Sequence, residues 1–156
     1  MEKSHAFITF PAISCYLLYT NPLLDIVFLL YGLIICIFIL YQGQYYFKLK
    51  IQSIKGQVFN QKSNLHFFRK SKNANLILIG LMPLIFIVQI FLNNWTIKTE
   101  NLICWGFAAN IFGILEHINY YNRQLMIDST ADLNYVISNR KLKIASLAKD
   151  LSENKI

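Results

Sequence analysis

The chain reads as an all-α protein, an integral membrane helical bundle of four transmembrane helices with a cytoplasmic amphipathic C-terminal helix. Its 156 residues are 55% hydrophobic and the mean hydropathy is +0.40, more apolar side chain than the interior of one ordinary soluble domain can hold. Four apolar stretches lie between Ala6 and Ile118, at 6–19, 23–41, 74–92 and 102–118. A helix needs about 20 mostly apolar residues to cross a hydrocarbon core of roughly 30 Å. Extended over their flanks, these stretches predict spans at 5–20, 23–47, 74–94 and 102–121. The chain then divides into a transmembrane part, 1–127, and a tail, 128–156.

The first stretch is the shortest, and at 1.5 Å per residue its 6–19 core covers only about 21 Å. Four spans are expected; three spans plus a re-entrant or interfacial first segment is the alternative. A cleaved signal peptide is not expected. MEKSHAF offsets its one Lys with a Glu, and no small-residue cleavage site intervenes before the next apolar run. Thr20-Asn21-Pro22 reads as a tight turn in which Pro22 opens the second helix and Thr20 or Asn21 caps it. Asp25 then falls in the first turn, where the helix dipole favours a carboxylate.

The second helix leaves the membrane through Tyr41, Tyr45 and Tyr46, and cations follow. Segment 48–73 carries Lys48, Lys50, Lys55, Lys62, Arg69, Lys70 and Lys72 and not one acidic residue. Short loops rich in Lys and Arg stay inside the cell, so this basic loop is expected to be cytoplasmic. The third helix then runs outward, the NNWTIKTEN loop is external, the fourth helix returns, and the C-terminus lies inside. Pro83 removes a backbone hydrogen bond within the third span and predicts a kink near Gly80.

In the tail, STAD offers a helix cap, and Leu133, Val136, Ile137, Ile144, Leu147, Ala148 and Leu151 recur at helical spacing. An amphipathic helix is expected there, with an interruption near Ser138-Asn139. Its stripe should dock on the basic loop, on the membrane surface or on another protein.

Two groups of residues are candidates for function. The inner end of the fourth span, GILEHINYYNRQL, places Glu116 and His117 beside an apolar run that already contains Asn110, and ionisable groups in spans are costly and often functional. On a 3.6-residue period Gly106, Asn110, Gly113, His117 and Gln124 share one stripe, and Glu116, Asn119, Tyr120 and Arg123 a neighbouring one. Asn110, Glu116, His117, Asn119, Tyr120 and Arg123 are therefore the candidates for a polar pocket, and Gly106 and Gly113 allow another helix to pack close. The simpler alternative is an interfacial helix whose polar residues mark the membrane exit. The second group is Lys48, Lys50, Lys55, Arg69, Lys70 and Lys72, interleaved with apolar residues and suited to an anionic lipid surface.

Other chemistry has no support in the residues. Cys15, Cys36 and Cys104 sit singly in apolar runs and act as small hydrophobes. No metal and no cofactor are expected: adjacent Glu116 and His117 point about 100° apart, without a second His one turn away. The net charge of +7 is accounted for by membrane orientation, and nucleic acid is not an expected partner. What remains is a non-enzymatic multi-pass protein of the cell membrane. It would bind membrane lipid, anionic headgroups, another membrane protein or its own copy, as an accessory subunit or a bacteriocin-immunity-like protector does. A small membrane enzyme or proton-coupled carrier using Glu116 and His117 is the alternative, and a holin-like pore former a third idea.

Overall fold

A computed structural model of the chain describes residues 5–98, 101–127 and 129–156. Met1 to Ser4, Thr99 and Glu100 of the expected external loop, and Asp128 at the expected start of the tail lie outside the described residues. The rest is all helical. A π-helical turn, His5–Thr9, leads into α1 (Phe10–Thr20), followed by α2 (Leu23–Ile54), α3 (Gln61–Leu92), α4 (Ile103–Tyr121), α5 (Thr130–Asn139) and α6 (Ser146–Glu153). The first and second predicted stretches are joined by the expected turn, but its capping differs. Asn21 closes α1, its side chain and backbone both donating to the Leu17 carbonyl, while Pro22 takes the N-cap position of α2 without a side-chain bond. Asn21 serves the helix before it because Leu17 lies one turn behind.

Segment 48–73 is not a loop. Both α2 and α3 have 32 residues, about 48 Å at helical rise, so each continues a dozen or more residues past its apolar portion. Nothing in FKLKIQSI or QKSNLHFFRKSKN breaks a helix, and the basic residues simply line the continuation. The reversal is confined to 55–60. Gly56 has φ +67, a conformation that costs glycine little, and Asn60 caps α3 by accepting a hydrogen bond from the Ser63 backbone at 3.0 Å. By length and composition α2 and α3 are each able to cross a membrane. Helix α3 continues through Pro83 to Leu92.

Helix α2 is the centre of the bundle. Ile26, Phe28, Leu29, Leu33, Ile35, Cys36, Ile39 and Leu40 are all buried along it. Against one side lies α4, brought close by glycines. A Cβ at Gly106 would stand 2.7 Å from Phe28, one at Gly32 would stand 2.8 Å from the Asn110 backbone, and one at Gly43 would enter the Tyr120 ring at 2.2 Å. The expected close packing at Gly106 and Gly113 is thus present, with Gly113 facing Ile35. Helix α3 covers another side, where Tyr31 donates to the Leu78 carbonyl at 2.7 Å. Its outer face keeps Leu76, Ile77, Leu81, Leu84, Ile87 and Phe91 exposed. The π-helical turn packs on α2 through Phe7 against Tyr41, and α1 packs on α4 through Phe10 against Phe112, with no buried residue of its own.

The tail breaks close to where the pattern predicts. Ser129 caps α5 by accepting from the Asp132 backbone, and the helix ends at Asn139 with Arg140 in the left-handed region. Six residues later α6 begins and folds back onto the basic ends of α2 and α3.

Candidate functional site

Among the predicted pocket residues the structure makes a division. Asn110 is a packing group: its Nδ2 donates to the carbonyls of Phe28 and Gly106 at 2.9 and 2.8 Å, tying α4 to α2. Glu116, His117 and Tyr120 are buried on the face of α4 that meets α2. His117 stacks on Tyr121 with ring centroids 5.1 Å apart, and neither of its ring nitrogens meets a hydrogen-bonding group among the described residues. Asn119 and Arg123 sit outside this interior. Asn119 Oδ1 accepts from the Leu125 backbone at 2.8 Å and closes the turn after α4. Arg123 is exposed, reaching the Leu142 carbonyl at 3.4 Å, and its backbone forms a bridge with Ile144. A cleft of about 80 Å³ beside Tyr120 is lined by Asn119, Gln124, Tyr46 and Leu147 but not by Glu116 or His117. It would hold a few waters, well below the size of a substrate pocket.

Residues the sequence reasoning passed over form the centre of this polar layer. Gln42 on α2 and Asn75 on α3 exchange two amide hydrogen bonds, at 3.0 and 2.9 Å, and the Tyr121 hydroxyl donates to Gln42 Oε1 at 2.6 Å. Three helices are thereby joined by one buried network. A second amide does similar work nearer the other end: Gln89 accepts from the Phe28 backbone at 2.7 Å and donates to the carbonyls of Asp25 and Asn101. A single Asn or Gln inside an apolar run is the available signal, since such groups are buried only when bonded. Gln89 shows it, whereas Gln42 and Asn75 stand at the polar edges of their apolar stretches and carry no such signal.

The basic candidates divide as well. Lys50 Nζ meets Asp150 Oδ2 at 2.6 Å, and the Tyr46 hydroxyl donates to the same oxygen at 2.7 Å. Arg69 reaches the Leu151 carbonyl and the Asn154 side chain, and Ser53 donates to the Ile156 carbonyl. These contacts, with buried Leu147, hold α6 on the helical hairpin, one of the docking sites expected for the tail. Lys48, Lys55 and Lys70 stay exposed and make no ion pair among the described residues. Lys72 is half-buried.

The free cysteines are Cys15 and Cys104, both exposed, and buried Cys36, whose thiol donates to the Ala109 carbonyl. Among the described residues no three His, Cys, Asp or Glu side chains gather as a metal site would require. Comparison with known proteins finds no match: no family model fits the chain, and no curated protein or solved structure matches it.

Proposed function

We propose that this is a multi-pass protein of the cell membrane, with four crossings and its basic hairpin and tail in the cytoplasm, that acts by binding lipid or a membrane partner. The observation that carries the reading is the division along α3. From 61 to 72 its exposed positions are polar or basic except Phe67, with Lys62, Arg69 and Lys70 among them, and from Leu76 to Phe91 they are apolar. An exposed apolar belt ending at a basic collar suits lipid tails and anionic headgroups at successive depths. Helices α1 and α4 would supply the first and fourth crossings, since both keep large apolar side chains exposed, Tyr16 and Leu18 on one and Trp105, Ile111 and Leu115 on the other. Binding is favoured over catalysis because Asn110, Gln42 and Asn75 are committed to helix packing, and the cleft beside Tyr120 is small.

A carrier or membrane enzyme using Glu116 and His117 is the second reading, favoured by the buried His117 ring, which has no hydrogen-bond partner among the described residues. Complementation of a deletion strain in the native host separates the two. Under the binding reading Glu116→Gln and His117→Gln each restore the wild-type phenotype fully at normal membrane abundance. Neutralising Lys48, Lys55 and Lys70 together to Gln does not restore it. The opposite pattern would transfer the function to the Glu116 and His117 layer.

A further inference from the structure

One face of α2 is left open by α4 and is met by α3 at Tyr45, whose hydroxyl donates to Asn64 and whose ring packs on Phe67 and Phe68. Ile34, Phe38, Tyr41, Tyr45, Lys48, Gln52 and Lys55 follow one another at intervals of three or four, with Ile37 beside Phe38, so they form a single stripe along the helix to the residue that caps it. Two grooves lie end to end on it. The first, about 320 Å³, is walled by Phe7, Ile34, Ile37, Phe38 and Tyr41. The second, about 540 Å³, shares Phe7 and Tyr41 with it and continues past Tyr45 to Lys48, Gln52 and Lys55. The Phe7 ring, edge-on to Tyr41 at 5.8 Å, stands where the two meet.

We infer that this continuous groove binds one anionic glycerophospholipid of the leaflet at the basic end, an acyl chain lying along Ile34 to Tyr41 and the headgroup between Lys48 and Lys55. The inference rests on the membrane placement proposed above and deepens it. Its division is what a lipid requires: the inner portion is apolar, and the outer portion carries two cations with amide side chains between them. Ile34 to Lys48 spans about 21 Å of helix, enough to follow a chain through a leaflet whose hydrocarbon is about 15 Å deep. Charge selects the headgroup. Lys50 is neutralised by Asp150, whereas Lys48 and Lys55 have no acidic partner among the described residues, and the sequence holds no carboxylate between Asp25 and Glu100. A zwitterionic headgroup would place its own cation beside these lysines without compensation.

The test uses the full chain purified in a neutral detergent. Native mass spectrometry follows a one-lipid adduct with dioleoylphosphatidylglycerol and, separately, with dioleoylphosphatidylcholine. The expected result is a single retained phosphatidylglycerol, favoured over phosphatidylcholine and held about tenfold more weakly by the Lys48→Gln, Lys55→Gln double variant. Ile37→Trp, which fills the apolar portion, should weaken retention of both lipids. Lys141→Gln with Lys155→Gln removes equal charge from the exposed tail and should leave retention unchanged. Equal loss in that control, equal retention of the two lipids, or no effect of Ile37→Trp at unchanged thermal stability overturns the groove. If the chain resists alkaline extraction from membranes yet retains no lipid, the groove fails and the membrane reading stands; a chain released by alkali fails both.

Discussion

Gln42 shows how much one side chain can hold. Its amide accepts from Tyr121 and exchanges bonds with Asn75, at 1% exposure, so Gln42→Leu strands polar atoms on two other helices. An unmet buried amide costs about 1–3 kcal/mol, and interhelical bonds in membranes fall at the lower part of that range. Thermal unfolding in mild detergent should show Gln42→Leu destabilised by about 1–2 kcal/mol. Adding Asn75→Leu should recover part of the loss, because both ends of the amide pair are then apolar; a double variant worse than the sum of the singles would refute this account. Gly43 and Gly80 make a second contrast. A methyl at Gly43 enters the Tyr120 ring, while one at Gly80 meets nothing within 4 Å. Gly43→Ala should therefore cost about 1–3 kcal/mol by overpacking, and Gly80→Ala should be neutral or stabilising by up to about 1 kcal/mol. The same thermal measurement reads both, and equal effects would mean that α4 does not approach α2 this closely.

At the scale of elements the tail is the informative case. Leu147 joins an apolar cluster with Tyr46, Phe68 and Tyr120, and Asp150 binds Tyr46 and Lys50. Burying a charge in that cluster is incompatible with docking, so Leu147→Asp should free α6 and raise amide hydrogen exchange across Ser146–Glu153 at least a hundredfold, with membrane insertion intact. Asp150→Asn loses only a partly solvated ion pair, worth about 1 kcal/mol, and should raise exchange about fivefold. Exchange unchanged in Leu147→Asp would show that the polar contacts alone retain the helix. The apolar spacing of the tail was legible beforehand, but it did not distinguish its halves. Leu133 and Ile137 of α5 remain exposed, as does Ile144, while Leu147 is covered. The difference arises because only α6 lies over the projecting ends of α2 and α3. The charge pattern of those ends predicts a loop, although an excess of positive charge says nothing about whether the backbone carrying it is helical.

For the whole molecule the orientation is the exposed prediction. In a variant lacking the three native cysteines, a cysteine at Lys98 should react with an impermeant thiol reagent on intact cells, and one at Lys62 should react only after the membrane is opened. Both positions are exposed, so reactivity reports the side of the membrane, and the reverse pattern would invert the proposed topology. The helical class, the apolar stretches, the charge collar and the break in the tail follow from local composition and period, which act through near neighbours and can be read from one chain. The inward stripe of α4 was legible for the same reason: Gly106, Asn110, Gly113 and His117 recur at helical spacing and all are buried. What they meet was not legible. Gln42 faces Asn75 across 33 positions, and Tyr46 faces Asp150 across 104. Such pairings depend on how three helices are rotated about their axes when they pack. Because the apolar moment of a helix greasy on every side is nearly flat, the hydrophobic pattern cannot set that rotation; the buried amides and the close glycine contacts do.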